Sequence, residues 1–337
     1  MATRVSIAVD AMSGDRGPRV CVAGALEALR ADPALSLVLV GQPAAIETEL
    51  GVLGDSLRSR VSIRPASEVV AMDEKPREAI RRKKDSSMRV ALNLVAAGEA
   101  RACVSAGNTG ALMATAHFVL GMVEGIERPA IVAAIPAEGG HTYMLDLGAN
   151  SAATPEQLFQ FAIMGAVVAA DLGARPRPRV GLLNIGSEDI KGHELVQAAH
   201  RLLQSSRLDY VGFVEGNDTF TGAVDVVVTD GFTGNIALKT MEGLAQMIAG
   251  ALRSEFSANP LRRLSALGAA AALGGLRKRL DPRRYNGASM VGLAGVVIKS
   301  HGSADATAFA HAVRVAGLEA RNGVPAHIGH ELKSQAA

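Results

Sequence analysis

The chain has 337 residues, 48% of them apolar and 20% charged, with 35 Lys and Arg against 33 Asp and Glu. That is enough chain for one large α/β domain or two smaller ones, and a net charge of +2 argues against wholesale coating of nucleic acid. With no Trp and 3% aromatics, the chain also lacks the stacking platforms used by single-stranded nucleic-acid grooves.

The N-terminus reaches Asp10 without the apolar core of a signal peptide. No apolar run of roughly 20 residues occurs, so a bilayer-spanning helix is excluded on length. A cytoplasmic protein with, at most, surface attachment to a membrane is expected. Cys21 and Cys103 sit far apart in apolar stretches, which suits buried free thiols rather than metal ligands.

In chain order, Val5 to Val9 reads as a strand and is followed by the loop DAMSGD (10 to 15). Leu35 to Val40 is the next strand. The segment MDEKPREAIRRKKDSSM (72 to 88) carries Lys75, Arg77, Arg81, Arg82, Lys83 and Lys84, a density typical of a solvated helix face. Ala102 to Ser105 reads as a strand running into SAGNTG (105 to 110). Between 130 and 147, two apolar runs flank Ala137-Glu138-Gly139-Gly140, the pattern of a hairpin. Arg175-Pro176-Arg177-Pro178-Arg179 marks a candidate seam near 173 to 179. Three further strands are expected at Val180 to Ile185, Tyr210 to Val214 and Val224 to Thr229. The first and last lead into NIGSEDIKGH (184 to 193) and TDGFTGN (229 to 235). Residues 256 to 285 combine Arg262, Arg263, Arg277, Lys278, Arg279, Arg283 and Arg284 with Leu and Ala around Gly274-Gly275. Two protruding helices fit this better than one, as a docking surface for an acidic protein or an anionic membrane, or as a solvated face of snorkelling Arg side chains.

Strands apolar along their whole length and separated by helices imply a mostly parallel sheet covered on both faces, a three-layer α/β/α fold. In such a sheet the carboxyl ends of the strands share one edge. The four loops are therefore expected to meet in one crevice, where helix N-termini favour an anion such as phosphate. Ser, Thr, Asn and Asp are also ordinary helix caps, and it is the fourfold recurrence that favours a site. Neither GxGxxG after a strand nor GxxxxGK[ST] is present, which excludes the usual dinucleotide and nucleotide cradles.

These segments, with ERPAI (127 to 131), VEGND (214 to 218) and YNGASMVGLAGVVIKSHGSADATAF (285 to 309), resemble the signature stretches of the bacterial acyl-carrier-protein:phosphate acyltransferases. The similarity runs from end to end, with Ser13 in DAMSGD replacing the family's usual Gly. The resemblance implies a Rossmann-like fold related to phosphotransacetylases and transfer of a fatty acyl group from acyl carrier protein to inorganic phosphate. It further implies a homodimer, peripheral contact with an anionic membrane, a role in phospholipid synthesis, and no metal or organic cofactor.

Phosphate is already a nucleophile at neutral pH, so such a site needs positioning and oxyanion donors rather than a Ser-His pair. The expected phosphate cradle is Ser105, Gly107, Asn108 and Thr109, joined by Lys191 and His193, with Thr233, Gly234 and Ser303 nearby. Asn235, Lys299, His301 and Asp230 are the expected catalytic set. Asn235 or His301 would donate to the thioester oxygen or departing sulfur, while Asp230 would orient a base or merely cap a helix. The remaining histidines, 117, 141, 200, 311, 327 and 330, have no metal-ligand spacing. Two alternatives stay open: an acetyl-CoA-dependent phosphate acetyltransferase, and a noncatalytic scaffold that docks carrier protein at the membrane.

Overall fold

The computed structural model describes residues 4–173, 175–259, 262, 265, 268, 274–275 and 281–336. Its centre is an eleven-stranded sheet. The strands are β1 (Val5–Asp10), β2 (Leu35–Gly41), β3 (Val61–Pro65), β4 (Ala102–Ser105), β5 (Ala130–Ala137), β6 (Gly140–Leu145), β7 (Arg179–Leu183), β8 (Asp209–Val214), β9 (Val226–Val228), β10 (Ala288–Val291) and β11 (Val296–Lys299). Among the described residues eleven α-helices pack around it: α1 (Pro18–Ala31), α2 (Pro43–Leu50), α3 (Asp55–Arg58), α4 (Pro76–Arg82), α5 (Ser87–Ala96), α6 (Thr109–Leu120), α7 (Pro155–Leu172), α8 (Glu194–Gln204), α9 (Gly231–Ser257), α10 (Ala306–Asn322) and α11 (Val324–Ala336).

The apolar runs form strands buried on both faces. Along β1, Ile7 and Val9 enter a core shared with α1 and α10, while Ala8 between them enters a second core with α5 and α6. This alternation is the period-2 geometry of a strand carried through a three-layer sandwich. The same split recurs in β6, where Leu145 faces the α7 core and Met144 the second core. The second core therefore lies along one face of the whole sheet, and Ala237, Leu238 and Met241 of α9 pack onto it.

The strand order is β3-β2-β1-β4-β11-β10-β5-β6-β9-β7-β8. Seven of the pairings are parallel and three, β11 with β10, β10 with β5 and β5 with β6, are antiparallel. The hairpin expected around Glu138-Gly139 is the β5–β6 turn. The three reversals correct one expectation. β6, β9, β7 and β8 run opposite to β1, β4 and β11, so the loops at 184–193 and 229–235 leave the sheet at the other edge from those at 10–15 and 105–110. A crevice shared by all four strand ends does not form along one edge.

α9 reconnects the two halves. It starts behind β9 and runs back along the second core, which carries its side chains toward the opposite edge. Of the basic segment expected at 256 to 285, Arg263, Arg277, Lys278 and Arg279 lie outside the described residues. Arg262 is ion-paired with Glu255.

Candidate active site

At the first edge, the loops after β1, β4 and β11 are tied into one unit. The Ser13 hydroxyl donates to the Asp10 carbonyl at 2.7 Å and accepts the Ala106 N–H at 2.9 Å. Gly14 takes a positive φ of 80°, and a Cβ there would sit 3.1 Å from the Gly302 carbonyl. Only glycine accommodates both demands. The Asp15 N–H donates to the same carbonyl at 2.9 Å. Ser13 thus serves as a stitch between DAMSGD and SAGNTG.

Asp10 and Ser105 lie beneath these loops, 1% and 0% exposed. Ser105 Oγ donates to Asp10 Oδ2 at 2.7 Å and accepts the Gly107 N–H at 3.1 Å. Its one proton is committed to Asp10, so in this arrangement Ser105 and Gly107 shape the loop. Burial pushes the Asp10 carboxyl above its usual pKa, against opposing hydrogen bonds from the Ser87 and Ser105 side chains and the Met12 amide and the charge of Lys299. Asn108 caps α6 by accepting the Ala111 N–H at 2.9 Å, and its amide donates to the carbonyls of Met72 at 2.7 Å and Glu74 at 3.1 Å. The segment before α4 is thereby latched over the rim. Thr109 opens α6, among the helical positions whose amides have no intrahelical acceptor.

Lys299 ends β11, beside Ser105 in register. Its Nζ donates to the carbonyls of Ala106, at 3.4 Å, and Ser300. Burial lowers its pKa to about 8; Asp15 and Asp10 pull upward, and Lys239 adds to the depression. Beyond it, Asn286 secures the next loop, with Nδ2 donating to Ser300 Oγ at 2.9 Å and to Ala308 O at 2.7 Å, while Oδ1 accepts the His301 N–H at 2.9 Å. The Ser303 N–H points at His301 Nδ1 from 3.3 Å, and Ser303 Oγ lies 2.9 Å from the same nitrogen. An accepting Nδ1 leaves the proton on Nε2, directed away from the loop as a donor.

The second group forms around the other edge. Asp146, fully buried, accepts N–H groups from Ile131, Gly148, Ala149 and Asn150 and the Asn150 side-chain amide at 2.8–3.1 Å. Asp230 caps α9, accepting the Thr233 N–H at 2.9 Å and its hydroxyl at 2.7 Å. The capping alternative thus describes Asp230 here, and Thr233 spends its hydroxyl proton on it. Gly234 donates its N–H to the Asp230 carbonyl at 2.9 Å. A Cβ at Gly234 would fall 1.9 Å from the Asp146 carbonyl, so this glycine provides close packing and its amide is not free for an anion. Asn235 is exposed beside Gly148.

One turn beyond Asn235, on the same helix face, is Lys239, paired with Glu242 at 2.8 Å. Its electrostatic reach to Lys299 links the α9 face to the first edge. The sequence reading missed Lys239, Asp10 and Asn286. Lys239 has a sequence signal in its four-residue spacing from Asn235, whereas Asp10 and Asn286 act through tertiary partners.

Lys191 and His193 are both exposed on the loop after β7 and are not joined to the first group. Arg283 is bound to Asp281 at 2.6 Å and to Asp305 at 3.4 Å, which pairs its charge at a part-exposed position. Among the described residues no cluster of metal-ligating side chains occurs and no helix is long and apolar enough to cross a membrane.

The architecture and its mixed strand senses define a phosphotransacetylase-like α/β/α protein. The chain is similar to the EutD phosphotransacetylase of Staphylococcus aureus, with 16% identity, TM-score 0.61 and 94% of each chain covered. It is likewise similar to a phosphotransacetylase of Streptococcus pyogenes, with 17% identity, TM-score 0.62 and the same coverage. At the sequence level, residues 5–327 match the family model described as "Fatty acid synthesis protein". The phosphate acyltransferases of Alkalilimnicola ehrlichii and Nitrosococcus oceani are 55% and 54% identical, over 99% and 98% of this chain and 98% and 97% of theirs. The chain belongs to this phosphate acyltransferase family and is an acyltransferase.

Proposed function

We propose that the protein transfers a fatty acyl group from acyl carrier protein to inorganic phosphate, releasing the carrier thiol and an acyl phosphate for phospholipid synthesis. The observation that carries this reading is the first-edge cluster: a largely buried Lys299, His301 with its Nδ1 held by Ser303, and the start of α6 share one rim, with Lys239 of α9 in electrostatic reach of Lys299.

In this reading phosphate lies against Lys299, the α6 N-terminus and Thr109, with Ser303 holding the His301 tautomer. A phosphate oxygen attacks the thioester carbon. Negative charge then develops on the carbonyl oxygen, where His301 Nε2–H or Asn235 Nδ2 donates; losing such a donor costs about 3 kcal/mol. The C–S bond breaks, the acyl carbon keeps its new bond to the phosphate oxygen, and the proton carried by hydrogen phosphate ends on the sulfur. Holding phosphate and thioester together contributes on the order of 7 kcal/mol or more of the lowering of the barrier. Asp230, Thr233 and Gly234 position the start of α9, and Lys191 and His193 bear on the acyl donor's path from the other edge.

We treat the chain as one catalytic unit, since the second core runs beneath both halves. A homodimer, peripheral membrane contact and a cytoplasmic location complete the proposal, with Arg262, Arg263, Arg277, Lys278, Arg279 and Arg284 as cations for docking membrane or carrier. The donor assignment is tested by thiol release from palmitoyl-carrier protein and from acetyl-CoA, each with and without phosphate. Phosphate-dependent release from the palmitoyl carrier is expected to dominate; a strong preference for acetyl-CoA would reject the donor. Binding of carrier protein without any turnover would support the scaffold alternative.

A further inference from the structure

α4 is a short helix that carries more charge than its surroundings neutralise. Between residues 73 and 84 the chain has six cations, Lys75, Arg77, Arg81, Arg82, Lys83 and Lys84, against three carboxylates, Asp73, Glu74 and Glu78. Lys83 is consumed locally, ion-paired with Glu74 at 3.1 Å and bonded to the Val69 carbonyl. Arg77, Arg81 and Arg82 are exposed, and none of them has an ion-pair partner among the described residues. With Glu78 they line a single open groove. Arg77 and Arg81 are like charges at i,i+4 spacing, and Glu78, at i,i+3 from Arg81 and i,i+4 from Arg82, is ion-paired with neither, so the face keeps a net positive charge.

The location of this groove is fixed by the candidate site. Asn108, the cap of α6, donates to the carbonyls of Met72 and Glu74 just ahead of α4. A Cβ on Gly110 would sit 3.0 Å from Pro76 Cγ, and one on Gly302 3.0 Å from Met72 Cε. α4 therefore begins against the same rim on which Lys299 and His301 stand. The groove is too open to desolvate a small anion, whereas Lys299 nearby is largely buried. Solvent-exposed guanidinium groups spread over two turns suit an extended acidic surface, for which charge complementarity supplies orientation and association rate.

We infer that the Arg77–Arg81–Arg82 face of α4 docks the acidic surface of the protein that carries the acyl thioester, setting its pantetheine arm over the rim. This rests on the carrier-protein donor proposed above. The face orients the donor and takes no part in bond making.

The test is the triple charge reversal Arg77→Glu, Arg81→Glu, Arg82→Glu in the full chain, with the milder Arg→Gln set as a second variant and circular dichroism to verify folding. With palmitoyl-carrier protein the KM for the donor is expected to rise about tenfold or more and to lose its dependence on salt. kcat and the KM for phosphate should stay within twofold, and the Gln set should give an intermediate rise. With palmitoyl-CoA, a thioester without an acidic protein, the donor KM should not change. A carrier KM within twofold of the parent's, or an equal rise with palmitoyl-CoA, would overturn the inference; the latter would mean that the groove takes a small phosphate. Should the parent enzyme not turn over carrier thioester at all, the donor assignment fails separately. Titration of carrier protein into parent and variant then still decides the docking face, with equal affinities counting against it.

Discussion

Replacing Lys299 by Met should stabilise the fold while disabling the enzyme. Burial lowers this lysine from 10.5 to about 8, and at 1.36 kcal/mol per pH unit keeping it charged costs on the order of 3 kcal/mol. The folded-state pKa lies below the unfolded value, so at a pH between the two the unfolded chain binds more protons and stability rises with pH. The cost is therefore present in full below about pH 8 and disappears as pH climbs toward 10.5. Met fills a similar volume without the charge, but leaves the Ala106 and Ser300 carbonyls without their donor, each worth about 1 kcal/mol. The net gain at pH 7 is then about 1 kcal/mol, shrinking or reversing at pH 10. Urea unfolding at the two pH values measures it. Turnover should fall at least about 100-fold, as for loss of a preorganised donor. A variant equally destabilised at both pH values, or one with near-parental turnover, would refute the placement of a charged, desolvated Lys299 in the site.

Other outcomes follow from the same contacts. Phosphate binding should favour protonated Lys299, so the KM for phosphate is expected to rise as pH passes about 8 in a pH series of initial rates. Asn108→Ala removes the α6 cap and the latch to Met72 and Glu74; chemical denaturation should register a loss of about 1–2 kcal/mol. Gly234→Ala places a methyl against the Asp146 carbonyl and should shift the start of α9, lowering both thermal stability and turnover; an unchanged melting temperature would contradict that packing. Burial raises Glu319 from 4.5 to about 8, with Ser289 donating to it and Asp171 pushing it further up. The folded chain binds the extra proton, so stability falls as pH rises from about 4.5 to 8. Glu319→Gln should flatten that slope and stabilise the protein by about 3 kcal/mol more at pH 8 than at pH 5.

The layered fold was legible because Val5–Asp10, Leu35–Gly41 and Val226–Val228 are apolar at nearly every position, with Ser6, Asp10 and Ser36 the exceptions, the mark of strands covered on both faces. The β5–β6 hairpin announced itself through Glu138-Gly139. What escaped was the sense of the second half. It depends on β10 and β11, four-residue strands separated by a Gly-containing turn, whose brief apolar runs carry little pattern of their own. Without them the reversal that separates two of the four loops could not be seen. Lys299, His301 and Asn108 stand at one rim as their loops suggested, whereas Ser105 and Thr233 hold carboxylates with the hydroxyl protons expected to meet phosphate. That commitment is set by Asp10 and Asp230, and only the folded chain decides whether a hydroxyl faces inward or out.

The most direct measurement is a crystal structure of the enzyme soaked with phosphate. The account predicts an anion in contact with Lys299 Nζ and the first amides of α6, within reach of His301 Nε2 and facing Asn235. Phosphate bound instead at Lys191 and His193, with the rim beside Lys299 empty at saturating concentration, would contradict it.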